Sequence, residues 1–157
     1  MVRLASAVLL AGAAGLAFAS AATAQSVAPG APGDVPTWSS AAKTGAANGV
    51  QHLEVVTADL VGPLARRLRG AVAVSVFTPP YVPTPSDEVG SNGIEAAWAG
   101  GVDGREVIDR LLPSIGGLLS ENGLFYMVLV EENLPDDISS LLSDQGLTST
   151  KVRPRVF

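Results

Sequence analysis

Apolar positions along this chain follow two rhythms, and the switch between them marks its elements. Val72, Val74, Val76 and Phe77 make a β-branched run of the kind that forms a buried strand, and residues 53–57 alternate in the same way. Leu60, Leu64 and Leu68 recur at four-residue steps, which predicts a short helix or turn over 59–69 that ends at Gly70. Ile108, Leu111, Leu112, Ile115 and Leu119 share one face of a helix predicted over 105–119, and Pro113 is expected to kink it or divide it in two. Gly123 then predicts a turn into the most apolar strand of the chain, 124–130. Asn133 is placed to cap a helix over 135–144, with Asp136 and Asp137 at its positive end and Gly146 beyond it. A weak helix over 39–48, lowered by Gly45, and an exposed strand over 148–156 complete the set. Strands alternating with helices predict an α/β fold with a parallel sheet and βαβ units.

Between the strand at 72–77 and Val102 lies a long Pro/Gly-rich stretch, long enough that it is expected to be functional or disordered. Pro79 stops the strand, because proline has no amide hydrogen and its ring fixes φ. Pro79 and Pro80 leave carbonyls without donors in a stiff bend, with Tyr81 just beyond. Open α/β sheets bind ligands at the carboxyl ends of their strands, so this bend is the candidate site. The alternative is a strand running into a proline-rich surface loop.

The residues after the bend add detail. Val82-Pro83-Thr84-Pro85 is followed by Glu88-Val89-Gly90, Gly93-Ile94-Glu95-Ala96-Ala97-Trp98-Ala99-Gly100-Gly101, Gly104-Arg105, Asp109-Arg110 and Leu112-Pro113. Together with Thr78-Pro79-Pro80-Tyr81 this resembles the HemK-like S-adenosylmethionine-dependent methyltransferases, most closely the eukaryotic branch that methylates a glutamine of the translation release factor. The resemblance runs from about residue 57 to about residue 146. It implies a partial Rossmann-like class-I methyltransferase sheet with S-adenosylmethionine as cofactor. It also implies that the bend carbonyls and the residue before them accept hydrogen bonds from the amide nitrogen to be methylated, while the tyrosine packs against the substrate side chain. The family motif is Asn-Pro-Pro-Tyr, and this chain departs from it at Thr78, whose hydroxyl is shorter and lacks the planar amide. By the same resemblance Asp59 contacts the cofactor adenine, and a helix amino-terminal cap is the competing reading. Trp98, Gly100 and Gly101 are candidates for the substrate mouth, since glycines permit close backbone approach; the alternative is that Trp98 anchors the loop on the sheet. Glu95 is either a substrate contact or a solvated loop residue.

Class-I enzymes open with a strand, a Gly-x-Gly-type turn and a helix, followed by an acidic residue for the ribose hydroxyls. Ahead of Leu53 the glycines offered are Gly12 and Gly15, inside an alanine-rich run, and Gly30 and Gly33, in a linker; none forms that pattern. The expectation is therefore a sheet lacking its first βαβ unit and its final strand pair. Arg3, the apolar run from Leu4 to Ala19 and Ala22-Thr23-Ala24 have the layout of a secretory signal peptide cut after Ala24, too short and small-sided for a stable membrane span. The domain reading is thus a signal-like segment 1–24, a flexible linker 25–38 and an incomplete methyltransferase domain 39–157. The signal pattern implies secretion, whereas the family implies cytoplasm or nucleus, and the two exclude each other.

Composition narrows the classes further. A chain of 157 residues buries one modest core, and a net charge of −5 argues against a nucleic-acid scaffold and so against a DNA adenine methyltransferase using the same bend. Arg66, Arg67 and Arg69, like Lys151, Arg153 and Arg155, are expected to be solvated faces rather than phosphate sites. With no cysteine and with His52 as the single histidine, no metal site is expected. The resemblance implies two partners, the release-factor substrate and a small zinc-binding activator subunit that pairs with a sheet edge, for which 53–57 is the candidate strand. A non-catalytic protein that binds the activator is the alternative function.

Overall fold

The computed structural model describes residues 5–11, 16–24, 37–50 and 52–152. Five strands form one sheet: β1 (Ala5–Ala11), β2 (Leu16–Ala24), β3 (Leu53–Ala58), β4 (Val72–Thr78) and β5 (Leu119–Met127), in the order β3-β1-β2-β4-β5. β1 is antiparallel to both β2 and β3, whereas β2, β4 and β5 are parallel. Four strands therefore share one direction and β1 alone runs against them. The sheet is mixed, not the all-parallel one that strand–helix alternation predicts. The carboxyl ends of β3, β4 and β5 lie along a single edge, which is where the candidate bend sits.

The helices are α1 (Thr37–Ala47), α2 (Ala65–Leu68), α3 (Glu106–Leu118) and α4 (Pro135–Ser143). α3 buries Val107, Ile108, Leu111, Leu112, Ile115 and Leu118, and with β4 and β5 it makes a parallel crossover in which the connecting helix covers the core. Leu60, Val61, Leu64 and Leu68 pack into the same core with Val72, Phe77, Ile138 and Leu142. The four-residue leucine steps thus do mark a buried face, although they span a 3-10 turn at Gly62–Leu64 and a short α2 rather than one helix.

Several sequence expectations change. Pro113 does not divide α3, which continues through it. Pro113 and Asp109 are both exposed, so the carbonyl left without a donor faces solvent while apolar residues on the other side hold both halves to one core. Gly123 is no turn. α3 passes directly into β5 at Leu119, and the register jumps from Val72↔Leu119 to Val74↔Leu124, a bulge in which a Cβ on Gly123 would lie 2.6 Å from the Val72 carbonyl oxygen. β5 is an outer strand of the described sheet that ends at Met127, and its Leu124 and Tyr126 are exposed, as is Val128 just beyond it. Residues 148–152 belong to no strand, and the rest of the expected 148–156 strand lies outside the described residues. α1 begins at Thr37, two residues earlier than the weak helix expected, and most of the 25–38 linker is outside the described residues.

The amino-terminal residues show a different arrangement from a bare apolar run. Gly12 and Gly15 lie outside the described residues, as do Gly30 and Gly33. The strands on either side of residues 12–15, β1 and β2, pair antiparallel with each other. The pair occupies the two positions between β3 and β4. No helix of the described residues is long and apolar enough to cross a membrane.

Candidate active site at the end of β4

Thr78 is the last residue of β4, in register with Ser20 of β2, and its side chain is exposed at the carboxyl edge of the sheet. Pro79 and Pro80 are buried, and Tyr81 is half-buried against the core. The strand is closed just before the bend by the Val128 N–H, which donates to the Phe77 carbonyl at 3.1 Å. Past this point the prolines can donate nothing, so ladder pairing through their own N–H groups stops at the bend.

The stretch after the bend is not a loop without structure of its own, as its Pro/Gly content suggests. It has 3-10 turns at Ser86–Glu88, Ile94–Ala97 and Val102–Gly104, and an isolated parallel bridge between Val82 and Ala99. Val82 N–H donates to the Trp98 carbonyl at 3.0 Å, Gly100 N–H to the Val82 carbonyl at 2.8 Å and Thr84 N–H to the Gly101 carbonyl at 3.0 Å. The Thr84 hydroxyl accepts from Gly101 N–H at 3.2 Å. These bonds fold the Trp98–Gly104 stretch back onto the bend. Glycine is required at two points of the contact. A Cβ on Gly100 would come within 2.7 Å of the Pro80 carbonyl oxygen, and one on Gly104, at φ +67°, within 2.0 Å of the Tyr81 carbonyl oxygen. The close approach expected of Gly100 is thus to the bend itself. Gly101, at φ +74°, turns the chain beside Glu106, and Trp98 is 41% exposed beside this turn.

Glu106 clasps the same stretch from the first turn of α3. Its Oε1 accepts from the Ser86 hydroxyl at 2.5 Å and from Val102 N–H at 3.2 Å. The hydroxyl bond first, then the backbone bond, hold its carboxyl below the ordinary value of 4.5. A depressed carboxyl contributes order above its ordinary pKa and loses it as pH falls through the lowered one. The Val102 amide is therefore expected to exchange with solvent faster as pH is lowered below 4.5, relative to the intrinsic rate, and Glu106→Gln is expected to flatten that dependence. Exchange measured across the acid range checks it; identical pH profiles for the two proteins would refute the clasp.

Asp59 follows β3 directly and so reaches the same sheet edge as Thr78. It does not cap the turn after it, whose cap is Val61 with no side-chain bond. Instead its carboxylate pairs with Arg110 of α3 at 2.5 Å, with both side chains nearly half exposed. Leu60, next to it, is buried in the left-handed region at φ 51°, which turns the chain from β3 into the core. Glu95 accepts from the Ser91 hydroxyl at 3.1 Å and so braces its own turn. Among the described residues no cluster of three His, Cys, Asp or Glu side chains could hold a metal ion.

Sequence reasoning missed Asn133. Expected as the cap of α4, it is fully buried instead, while Leu134 at φ 53° takes the cap position. The Asn133 Oδ1 accepts from Val130 N–H at 2.9 Å, and Nδ2 donates to the carbonyls of Tyr81 and Asp103, each at 2.8 Å. The only hint in the sequence is a lone amide between two acidic residues and a proline, which a cap explains equally well.

A mixed α/β sheet carries a Thr-Pro-Pro-Tyr bend at the carboxyl edge of an inner strand, and over about two thirds of its length the chain is similar to known methyltransferases. It is 54% identical over 99 residues to methyltransferase HEMK2 of Mus musculus, covering 63% of this chain and 46% of that protein. The Homo sapiens protein of the same name is 51% identical over 104 residues, 66% of this chain and 49% of its own length. The eRF1 methyltransferase catalytic subunit mtq2 of Schizosaccharomyces pombe is 43% identical over 82 residues, 51% of this chain and 36% of that protein. The chain spans about half the length of the HEMK2 proteins it matches. No protein-family model matches it.

Proposed function

We propose that this chain carries the acceptor-binding half of a protein-glutamine methyltransferase acting on a translation release factor, with methyl transfer impaired in the chain as it stands. The observation that carries this reading is the bend: two buried prolines whose carbonyls meet no backbone donor of their own strand, next to an exposed Thr78 and a half-buried Tyr81. Carbonyls fixed in this way orient an amide nitrogen by accepting its hydrogens, which is the positioning that transfer to a poor nucleophile needs. The name of the fission-yeast relative supplies the release factor as substrate.

S-adenosylmethionine is the methyl donor that the family implies, and the residues present fit it poorly. Asp59 stands at the expected edge, but Arg110 engages its carboxylate, and the described element after β1 is another strand rather than the helix that a glycine turn would open. Calorimetric titration of the chain with S-adenosylmethionine tests the impairment, and shifts in Thr78–Tyr81 resonances on adding a glutamine peptide of the release factor test the acceptor site. Pro-Pro carbonyls that ignore the peptide would sink the reading. For the activator subunit, β3 offers an outer edge, since among the described strands it pairs with β1 alone.

The release-factor reading favours cytoplasm or nucleus. Cleavage after Ala24 would favour secretion, and it would also remove β1, the strand to which β3 is paired, and β2, the parallel neighbour of β4. A chain starting at residue 25 is therefore expected to aggregate or to melt well below the full chain, because two strand edges lose their partners at once. An unchanged melting temperature would show that residues 1–24 add nothing to the fold and would leave the signal reading in place.

A further inference from the structure

Asn133 is an uncharged polar side chain with no exposed area, in a region where its neighbours Glu131, Glu132 and Leu134 are all exposed. Its amide is used on both sides. One acceptor takes the Val130 N–H, and the two donors go to the carbonyls of Tyr81 and Asp103, which lie 52 and 30 residues away in sequence. A planar amide with two hydrogens is the side chain that can serve two carbonyls and one N–H together; a carboxylate would turn acceptors toward acceptors.

Strain collects around it. Asp103 and Leu134 both hold left-handed backbone, at φ 54° and 53°, and Gly104 lies between the Tyr81 carbonyl and Asn133 Nδ2 with no room for a Cβ. Burial does not explain Leu134, whose side chain is 45% exposed. Residues in this region persist where the surroundings over-determine them, and they cluster at binding and catalytic sites. Here the surroundings are the turn 130–134, closed by Asn133 N–H to the Val130 carbonyl at 3.1 Å and Leu134 N–H to the Glu131 carbonyl at 3.1 Å.

We propose that Asn133 is the positioning residue of the acceptor site: by holding the carbonyls of Tyr81 and Asp103 it fixes the direction of the Pro79–Pro80 bend against the 101–104 turn. It lies outside the motif and acts through Tyr81, not on the substrate. The inference rests on the acceptor-binding reading above, and it adds the residue that gives the bend one geometry. Without the two donor bonds the peptide plane of the Tyr81 carbonyl is held only from its other side, by the Val82 N–H on the Trp98 carbonyl, and the aim of the neighbouring proline carbonyls loosens.

The test uses the full isotope-labelled chain. Through-hydrogen-bond couplings are expected from Asn133 Nδ2 to the carbonyl carbons of Tyr81 and Asp103. Asn133→Asp keeps the acceptor for Val130 and removes both donors. It is expected to speed exchange of the Val82, Thr84 and Gly104 amides about tenfold to a hundredfold, with Ile108 and Leu111 in α3 at their original rates. It is also expected to weaken the shifts that a release-factor glutamine peptide causes at Thr78–Tyr81. Absent couplings in the folded chain overturn the proposal, and so does a variant that speeds the α3 amides by the same factor, which is the mark of a merely structural role. Should the variant fail to fold, the couplings in the unaltered chain still decide. A peptide that leaves the unaltered chain unshifted counts against the acceptor-site reading, while the couplings and the exchange pattern still judge what Asn133 does to the bend.

Discussion

Gly104→Ala is expected to lower stability by about 3 kcal/mol or more and to disorder the bend before it unfolds the core. Two penalties add at this position. The first is conformational, because φ of +67° is a region that alanine occupies only under strain. The second is steric: the new Cβ would sit 2.0 Å from the Tyr81 carbonyl oxygen and 2.5 Å from Asn133 Nδ2, and neither can move without giving up their shared hydrogen bond. Gly70→Ala separates the two penalties. Its φ is +63°, yet nothing lies within 4 Å of the place a Cβ would take, so it is expected to lose only about 1 kcal/mol. Urea unfolding of the two variants measures the difference, and equal losses would mean that the approach of the 101–104 turn to the bend is not tight. A loss of about 3 kcal/mol would be a large share of the roughly 5–15 kcal/mol that holds a typical domain folded.

The second large effect is functional. Thr78→Asn, which completes the family motif, is expected not to restore methyl transfer by itself. Its own gain would be substantial, since a positioned polar contact in a transition state is commonly worth about 3 kcal/mol, on the order of a hundredfold in rate. That gain is realised only when a methyl donor is bound, and binding precedes the chemical step. No saturable uptake of S-adenosylmethionine is expected by calorimetry for the unaltered chain or for Thr78→Asn, because the described element that follows β1 is the strand β2 and not a helix. Replacing residues 1–52 with the strand–glycine-turn–helix segment of an intact relative is expected to restore binding, and on that background Thr78→Asn is expected to raise turnover. Micromolar binding by the unaltered chain would show that its first residues do form a cradle.

Much of this protein is legible along the chain because the relevant physics is local. The strands at 53–58 and 72–78 follow from β-branched runs, and α3 follows from the spacing of Ile108, Leu111, Leu112 and Ile115. Pro79 ends β4 for a reason contained in one residue, the missing amide hydrogen. The bend itself, with Tyr81 beyond it, is carried by four consecutive positions.

Long-range contacts decided the rest. Nothing local distinguishes Asn133 as a cap from Asn133 as a tie between segments 52 residues apart; the difference is which carbonyls come within 2.8 Å once β5 and α4 are packed. The same holds for Asp59, whose partner Arg110 lies 51 residues on and reaches it only because α3 crosses beside the end of β3. Gly123 carries the backbone freedom of a turn, but the pairing of β5 with β4 makes it a bulge. Pro113 carries the power to break a helix, but the break stays unexpressed because its ring and the orphaned carbonyl face solvent while Leu112 and Ile115 are held in the core. Sequence determines what each residue can donate, accept or forbid; the fold determines which of those capacities meets a partner.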